Sequence, residues 1–175
     1  REMVGSAPAD ASLRARFNQD ATCLAVATRR GFRIYSCGAG GVCCYEDACG
    51  AVALVEMLFC TSLLAIVGAG DEPTLSPRRV SVVNTTTRTA IAHLSFPSAV
   101  VAVRMNRKRL VVVLETKALV HDLATLQLLE TLETPPNLAG LCALSPSPEP
   151  EPESVHLAVP ASTQGNVLVY DCLSL

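Results

Sequence analysis

Eight cysteines and three clusters of arginines are the residues of this chain with the most chemistry to offer. The cysteines stand at 23, 37, 43, 44, 49, 60, 142 and 172, and thiols bind zinc or pair as disulfides when their spacing allows. No Cys-x-x-Cys pair occurs, and His93, His121 and His156 are scattered singly, so no metal site is expected. Cys23, Cys43, Cys60 and Cys142 lie in or beside apolar runs, where a free thiol packs as a small hydrophobe. The first residues, Arg1-Glu2-Met3-Val4, carry no apolar signal segment and do not begin with Met. The expectation is therefore a fragment at that end, with reduced, structural cysteines. Catalytic signatures are missing: there is no Gly-x-Ser-x-Gly elbow, no Walker loop and no His-Glu-x-x-His. Gly68-Ala69-Gly70 runs into Asp71-Glu72-Pro73, which suits a loop rather than a phosphate-cradling helix. Neither an enzyme nor a cofactor is expected.

The arginines are more informative. Arg29-Arg30 with Arg33 reads as a solvated strand edge. Arg104 with Arg107-Lys108-Arg109 lies between two strand-like runs, as a solvated turn or as a contact for a partner or phosphate. Thr74-Leu75-Ser76-Pro77-Arg78-Arg79 lies in the long connection from Gly68 to Arg79. Its two neighbouring prolines restrict the backbone, so the loop projects as a preformed element. Arginine's planar fork suits carboxylate or phosphate docking, and Ser76, Pro77, Arg78 and Arg79 are the candidate partner-binding residues. Residues 145–154, Ser-Pro-Ser-Pro-Glu-Pro-Glu-Pro-Glu-Ser, read as a disordered acidic loop.

The elements that hold these residues follow from composition and pattern. Half of the 175 residues are hydrophobic and 17% are charged, against about 25% charged in an average chain, so a packed core is expected. A net charge of -2, no Trp and 4% aromatics argue against nucleic-acid binding. The longest apolar stretch, Ala51 to Gly70, is interrupted by Glu56 and reads as two buried strands around a turn at Cys60-Thr61-Ser62.

Four segments repeat one grammar of apolar strand, turn and second apolar strand. They are 24–27 with 32–36, 64–67 with 80–84, 110–114 with 118–122, and 157–160 with 166–171. Further strand-like runs follow at 42–45, 89–96 and 126–132. The spacing is close to the roughly 40–50 residues of a four-stranded propeller blade. The expected fold is all-β: an incomplete β-propeller of four-stranded antiparallel blades over 12–175, after a disordered tail at 1–11. About three and a half to four blades fit, and most propellers close with more, so the front half of a larger propeller is expected.

Ordered motifs add a resemblance. Phe17-Asn18-Gln19-Asp20, Gly31-Phe32-Arg33-Ile34-Tyr35, Val55-Glu56-Met57-Leu58-Phe59, Leu64-Ala65-Ile66-Val67-Gly68, Leu75-Ser76-Pro77-Arg78-Arg79 and the run from Ala102 to Glu115 resemble the PROPPIN family in family order. Gly140-Leu141-Cys142-Ala143-Leu144-Ser145-Pro146 continues the series. The similarity is greatest to the family's autophagy-core branch, and 158–163 resembles its plant members. The resemblance implies a seven-bladed, non-enzymatic effector of phosphatidylinositol 3-phosphate and the 3,5-bisphosphate. It also implies a cytoplasmic protein that is peripheral on preautophagosomal, vacuolar or endosomal membranes. Family lipid sites lie in later blades around a Phe/Leu-Arg-Arg-Gly motif. The nearest string here is Thr28-Arg29-Arg30-Gly31 in the first blade, so no lipid-binding residue is carried over. The Ser76–Arg79 loop matches the family's contact with a large lipid-transfer partner. Arg107 matches the first of two arginines by which some animal members bind a conjugation-machinery scaffold, while the second aligns with Ala124. The competing expectation is an interaction propeller, or a truncated product, without lipid binding.

Overall fold

The computed structural model describes residues 12–38, 40–149, 152–163 and 165–174. The tail expected over 1–11 lies outside the described residues. Every regular element among the described residues is a strand. The first sheet runs β1 (Ser12–Phe17), β2 (Cys23–Thr28), β3 (Phe32–Ser36) and β4 (Val42–Asp47). The second runs β5 (Val52–Met57), β6 (Leu63–Gly68), β7 (Arg79–Asn84) and β8 (Thr89–Ser95). The third runs β9 (Ala102–Met105), β10 (Arg109–Val113), β11 (Lys117–Asp122) and β12 (Leu128–Glu133). A fourth, three-stranded sheet comprises β13 (Ala143–Leu144), β14 (His156–Pro160) and β15 (Val167–Asp171).

Each sheet is an antiparallel meander in sequence order. The first strands pack side by side, β5 against β1 and β9, and β9 against β13. These are the all-β propeller blades that the repeats predict. The Ala51–Gly70 stretch forms β5 and β6 as expected.

The middle strands explain why the apolar runs are continuous rather than alternating with polar residues. Side chains on a strand point alternately to its two faces, and here both faces are covered. Leu64 and Ile66 of β6 join Ala25, Ala27, Phe32 and Ile34 of the first sheet. Ala65 and Val67 turn the other way, toward Val103, Met105, Leu110 and Val112 of the third. Val111 and Val113 then face Leu157 and Val159 of the fourth. The outermost strands have one dry face at most, and β4, β8 and β12 are correspondingly exposed along much of their length.

Candidate functional site

Gly68 ends β6 where the chain enters the 69–78 connection. A Cβ on Gly68 would run into the Leu75 carbonyl, so only glycine lets the loop fold back this closely. The loop is tied at several points. Gly70 N–H donates to the Leu75 carbonyl at 3.0 Å, and Leu75 N–H to the Glu72 carbonyl at 3.0 Å. The Pro77 carbonyl accepts from Val100 N–H, and the Arg78 carbonyl from Phe96 N–H, both at 2.8 Å. The Arg79 guanidinium donates to the Thr74 carbonyl within the loop, and Arg79 opens β7. Ser76 Oγ accepts from Arg78 N–H at 3.2 Å. The Arg78 side chain is exposed and has no hydrogen bond or ion pair to any described residue. The loop thus presents one unengaged guanidinium on a fixed backbone.

Arg107 sits elsewhere and is engaged. Its guanidinium lies 4.8 Å from the centroid of the Phe59 ring, and its Nε donates to the Pro148 carbonyl at 2.6 Å. It therefore spans the second, third and fourth sheets. The β1–β2, β5–β6 and β9–β10 turns share this rim: Asn18 Nδ2 reaches Cys60 Sγ at 3.5 Å, and Arg107 covers Phe59. In an up-and-down meander, the connection from second to third strand lies at the other end. The Ser76–Arg79 loop is such a connection, so it and Arg107 occupy opposite rims and form separate sites.

Several expectations change here. Arg104 and Arg109 are not on the β9–β10 turn: Arg104 lies in β9 and Arg109 begins β10. Arg109 is buried, donating from Nε to the Cys172 carbonyl at 2.8 Å and pairing with Asp122 at 3.3 Å. Cys43 and Cys60 are exposed rather than packed as hydrophobes, because each leaves its apolar run at an outer strand or a turn. Arg33 pairs with Glu46 at 2.8 Å. The first half of the acidic segment makes contacts: Ser145 accepts from Asn106 Nδ2 at 2.9 Å, and Pro148 from Arg107. Residues 150 and 151 of that segment lie outside the described residues.

Two features escape a reading by local pattern. Gln19 joins three sheets: its Nε2 donates to the Met57 carbonyl at 2.6 Å and the Met105 carbonyl at 2.8 Å, while its Oε1 accepts from Phe59 N–H at 2.6 Å. Its place in Phe17-Asn18-Gln19-Asp20 was its sole signal. The second is a cavity of about 270 Å³ along the first strands, lined by Arg14, Arg16, Glu56 and Arg104 among others. Glu56 Oε2 pairs with Arg16 Nε at 2.9 Å. Burial raises the Glu56 carboxyl to about 7, although Arg16 and Arg104 pull it down. The alternation of Arg14 and Arg16 along β1 was the available signal. Among the described residues, no group of three or more His, Cys, Asp or Glu side chains is gathered as a metal site requires.

The PROPPIN family model matches residues 12–175. Autophagy-related protein 18b of Arabidopsis thaliana is 49% identical over 160 residues, covering 91% of this chain and 42% of its own length. Autophagy-related protein 18 of Yarrowia lipolytica is 42% identical over 177 residues, covering 91% of this chain and 44% of its own length. The chain thus spans less than half of these curated relatives. Among solved structures, the complex of KlAtg21 with the coiled-coil of AgAtg16 aligns with a TM-score of 0.71 at 29% identity, over 93% of this chain and 53% of that one. Kluyveromyces lactis Hsv2 aligns with a TM-score of 0.73 at 17% identity, over 93% of this chain and 46% of that one, and shows the shared fold.

Proposed function

Because this chain belongs to the PROPPIN family, we propose that it supplies the partner-capturing blades of a phosphoinositide effector in autophagosome formation. The observation that carries this reading is Arg78, an exposed guanidinium without a partner among the described residues, on a loop held by Pro77, Gly68 and the 96–100 link. Ser76, Pro77 and Arg79 set its backbone, and a lipid-transfer protein with an acidic docking segment is the proposed occupant. The two relatives named as autophagy-related proteins support the process, and the KlAtg21 complex with the AgAtg16 coiled-coil supports protein docking on this kind of propeller.

The lipid contact is assigned to blades outside the described residues, for phosphatidylinositol 3-phosphate or the 3,5-bisphosphate. The protein is then cytoplasmic and peripheral on autophagic, vacuolar or endosomal membranes. Membrane and partner contacts on one rigid body multiply through effective concentration, so the propeller acts as a tether and not as a catalyst. Arg107, exposed on the opposite rim over the Phe59 ring, is the proposed contact for a second protein partner.

The test is liposome flotation of the gene product at its natural length. Flotation with vesicles containing phosphatidylinositol 3-phosphate or 3,5-bisphosphate, and none with phosphatidylcholine alone, is expected. Equal behaviour with both vesicle types would leave an interaction propeller without lipid function.

A further inference from the structure

The β1–β2 and β5–β6 turns bring two thiols of different blades together. Cys23 Sγ and Cys60 Sγ lie 3.8 Å apart although 37 residues separate them in sequence. We propose that Cys23 and Cys60 form a peroxide-induced disulfide that staples the first blade to the second. This reading is independent of lipid binding.

The surroundings assign an order to the chemistry. Cys60 is exposed, whereas Cys23 is half-buried, so an oxidant reaches Cys60 first. The Asn18 amide donates toward Cys60 Sγ at 3.5 Å, and the Thr22 hydroxyl lies 3.0 Å from the same sulfur. Of the two, only the Asn18 amide offers the sulfur a proton, because the Thr22 hydroxyl gives its own to the Asp20 carboxylate. Burial, then the neighbouring Cys60 thiol, pushes Cys23 up to about 11, which keeps it a thiol in reserve. The other cysteines of the first sheet point elsewhere: Cys43 Sγ donates to the Tyr45 carbonyl and Cys44 Sγ to the Ile34 carbonyl.

The Cys60 thiolate attacks one oxygen of hydrogen peroxide, the O–O bond breaks, and with one proton taken up the products are a sulfenic acid and water. The Cys23 sulfur then attacks the Cys60 sulfenic sulfur. The S–S bond forms as the S–O bond breaks, and the thiol proton leaves with the hydroxyl as a second water. Two thiols and one peroxide thus give one disulfide and two waters, the two electrons passing from sulfur to the peroxide. The bond would fix the 58–62 turn, in which Phe59 holds a positive φ of 48° beneath Arg107. Oxidation would therefore stiffen the inter-blade rim on which Arg107 sits.

Digestion with trypsin and a glutamate-specific protease releases 17–29 and 57–78, each with a single cysteine, the Glu72–Pro73 bond being resistant. The protein at its natural length is purified reduced, exposed to submillimolar hydrogen peroxide, alkylated at acid pH and digested without reductant. A cross-linked 17–29/57–78 species in mass spectra, abolished by dithiothreitol, is expected. Thermal unfolding of the oxidised protein should rise by about 5 °C or more, and the rise should vanish in Cys60→Ser. Cys60 carried to sulfinic acid with Cys23 still alkylated, or linked to Cys43, Cys44 or a second chain, overturns the proposal. Because the mapping is made on the unmutated protein, it remains decisive even if Cys60→Ser folds poorly.

Discussion

Gln19→Ala should unfasten three blades at once. Gln19 is 38 residues from Met57 and 86 from Met105, yet its amide donates to both carbonyls and accepts from Phe59 N–H. A hydrogen bond of this kind contributes about 1 kcal/mol net, and a stranded buried group costs about 1–3 kcal/mol. Losing three such bonds, with the backbone of the buried Phe59 left unpaired, gives a loss of about 3 kcal/mol. In a domain of this size that lowers Tm by about 6–12 °C. Urea unfolding followed by far-ultraviolet circular dichroism is the assay, with the midpoint expected to fall and the slope to stay unchanged. Gln19→Glu is the companion variant: it keeps an acceptor for Phe59 but faces two carbonyls without a donor, so it should be no better tolerated than alanine. A loss below about 0.5 kcal/mol in Gln19→Ala would refute the view that this side chain clasps the blades together.

Other substitutions probe other levels of the structure. The folded value of Glu56 near 7 lies above its ordinary 4.5, a difference of about 3 kcal/mol. The folded chain holds the extra proton between those values, so the stabilisation is full below 4.5 and is lost as pH rises through 7. Glu56→Gln should flatten this pH profile and exceed the natural protein in stability at pH 8, and an unchanged profile would contradict the assignment. Leu110→Ala empties a fully buried position between the second and third sheets and should cost about 3 kcal/mol in urea unfolding. Gly68→Val should displace the 69–78 connection, because its side chain would meet the Leu75 backbone, and partner capture should fall with it.

What could be read in the sequence was what repeats locally. Leu64-Ala65-Ile66-Val67 and Leu110-Val111-Val112-Val113 announce middle strands because both faces need burying, and the turns between them mark the blades. Two prolines and a connecting loop pointed to a displayed Ser76–Arg79 segment, but that Arg79 folds back onto Thr74 and leaves Arg78 as the exposed guanidinium was not legible. Contacts set by blade-to-blade docking were not legible. Gln19 looks like any turn residue until Met57 and Met105 are seen around it. Glu56 reads as an interruption of an apolar run until Arg16 supplies its partner. Arg104 and Arg109 seem to share a basic turn with Arg107, but the strand ends direct them to different surroundings. Periodicity determines which face a residue occupies and leaves open which neighbour it finds there.

The most direct measurement compares Arg78→Ala with the natural protein at full length, on vesicles containing phosphatidylinositol 3-phosphate with the lipid-transfer partner in solution. Vesicle binding by the propeller should be unchanged, and recruitment of the partner should fall at least tenfold, equivalent to about 1.4 kcal/mol. Equal loss of both activities, or partner recruitment that does not change, would contradict a Ser76–Arg79 loop that captures protein while other blades hold lipid.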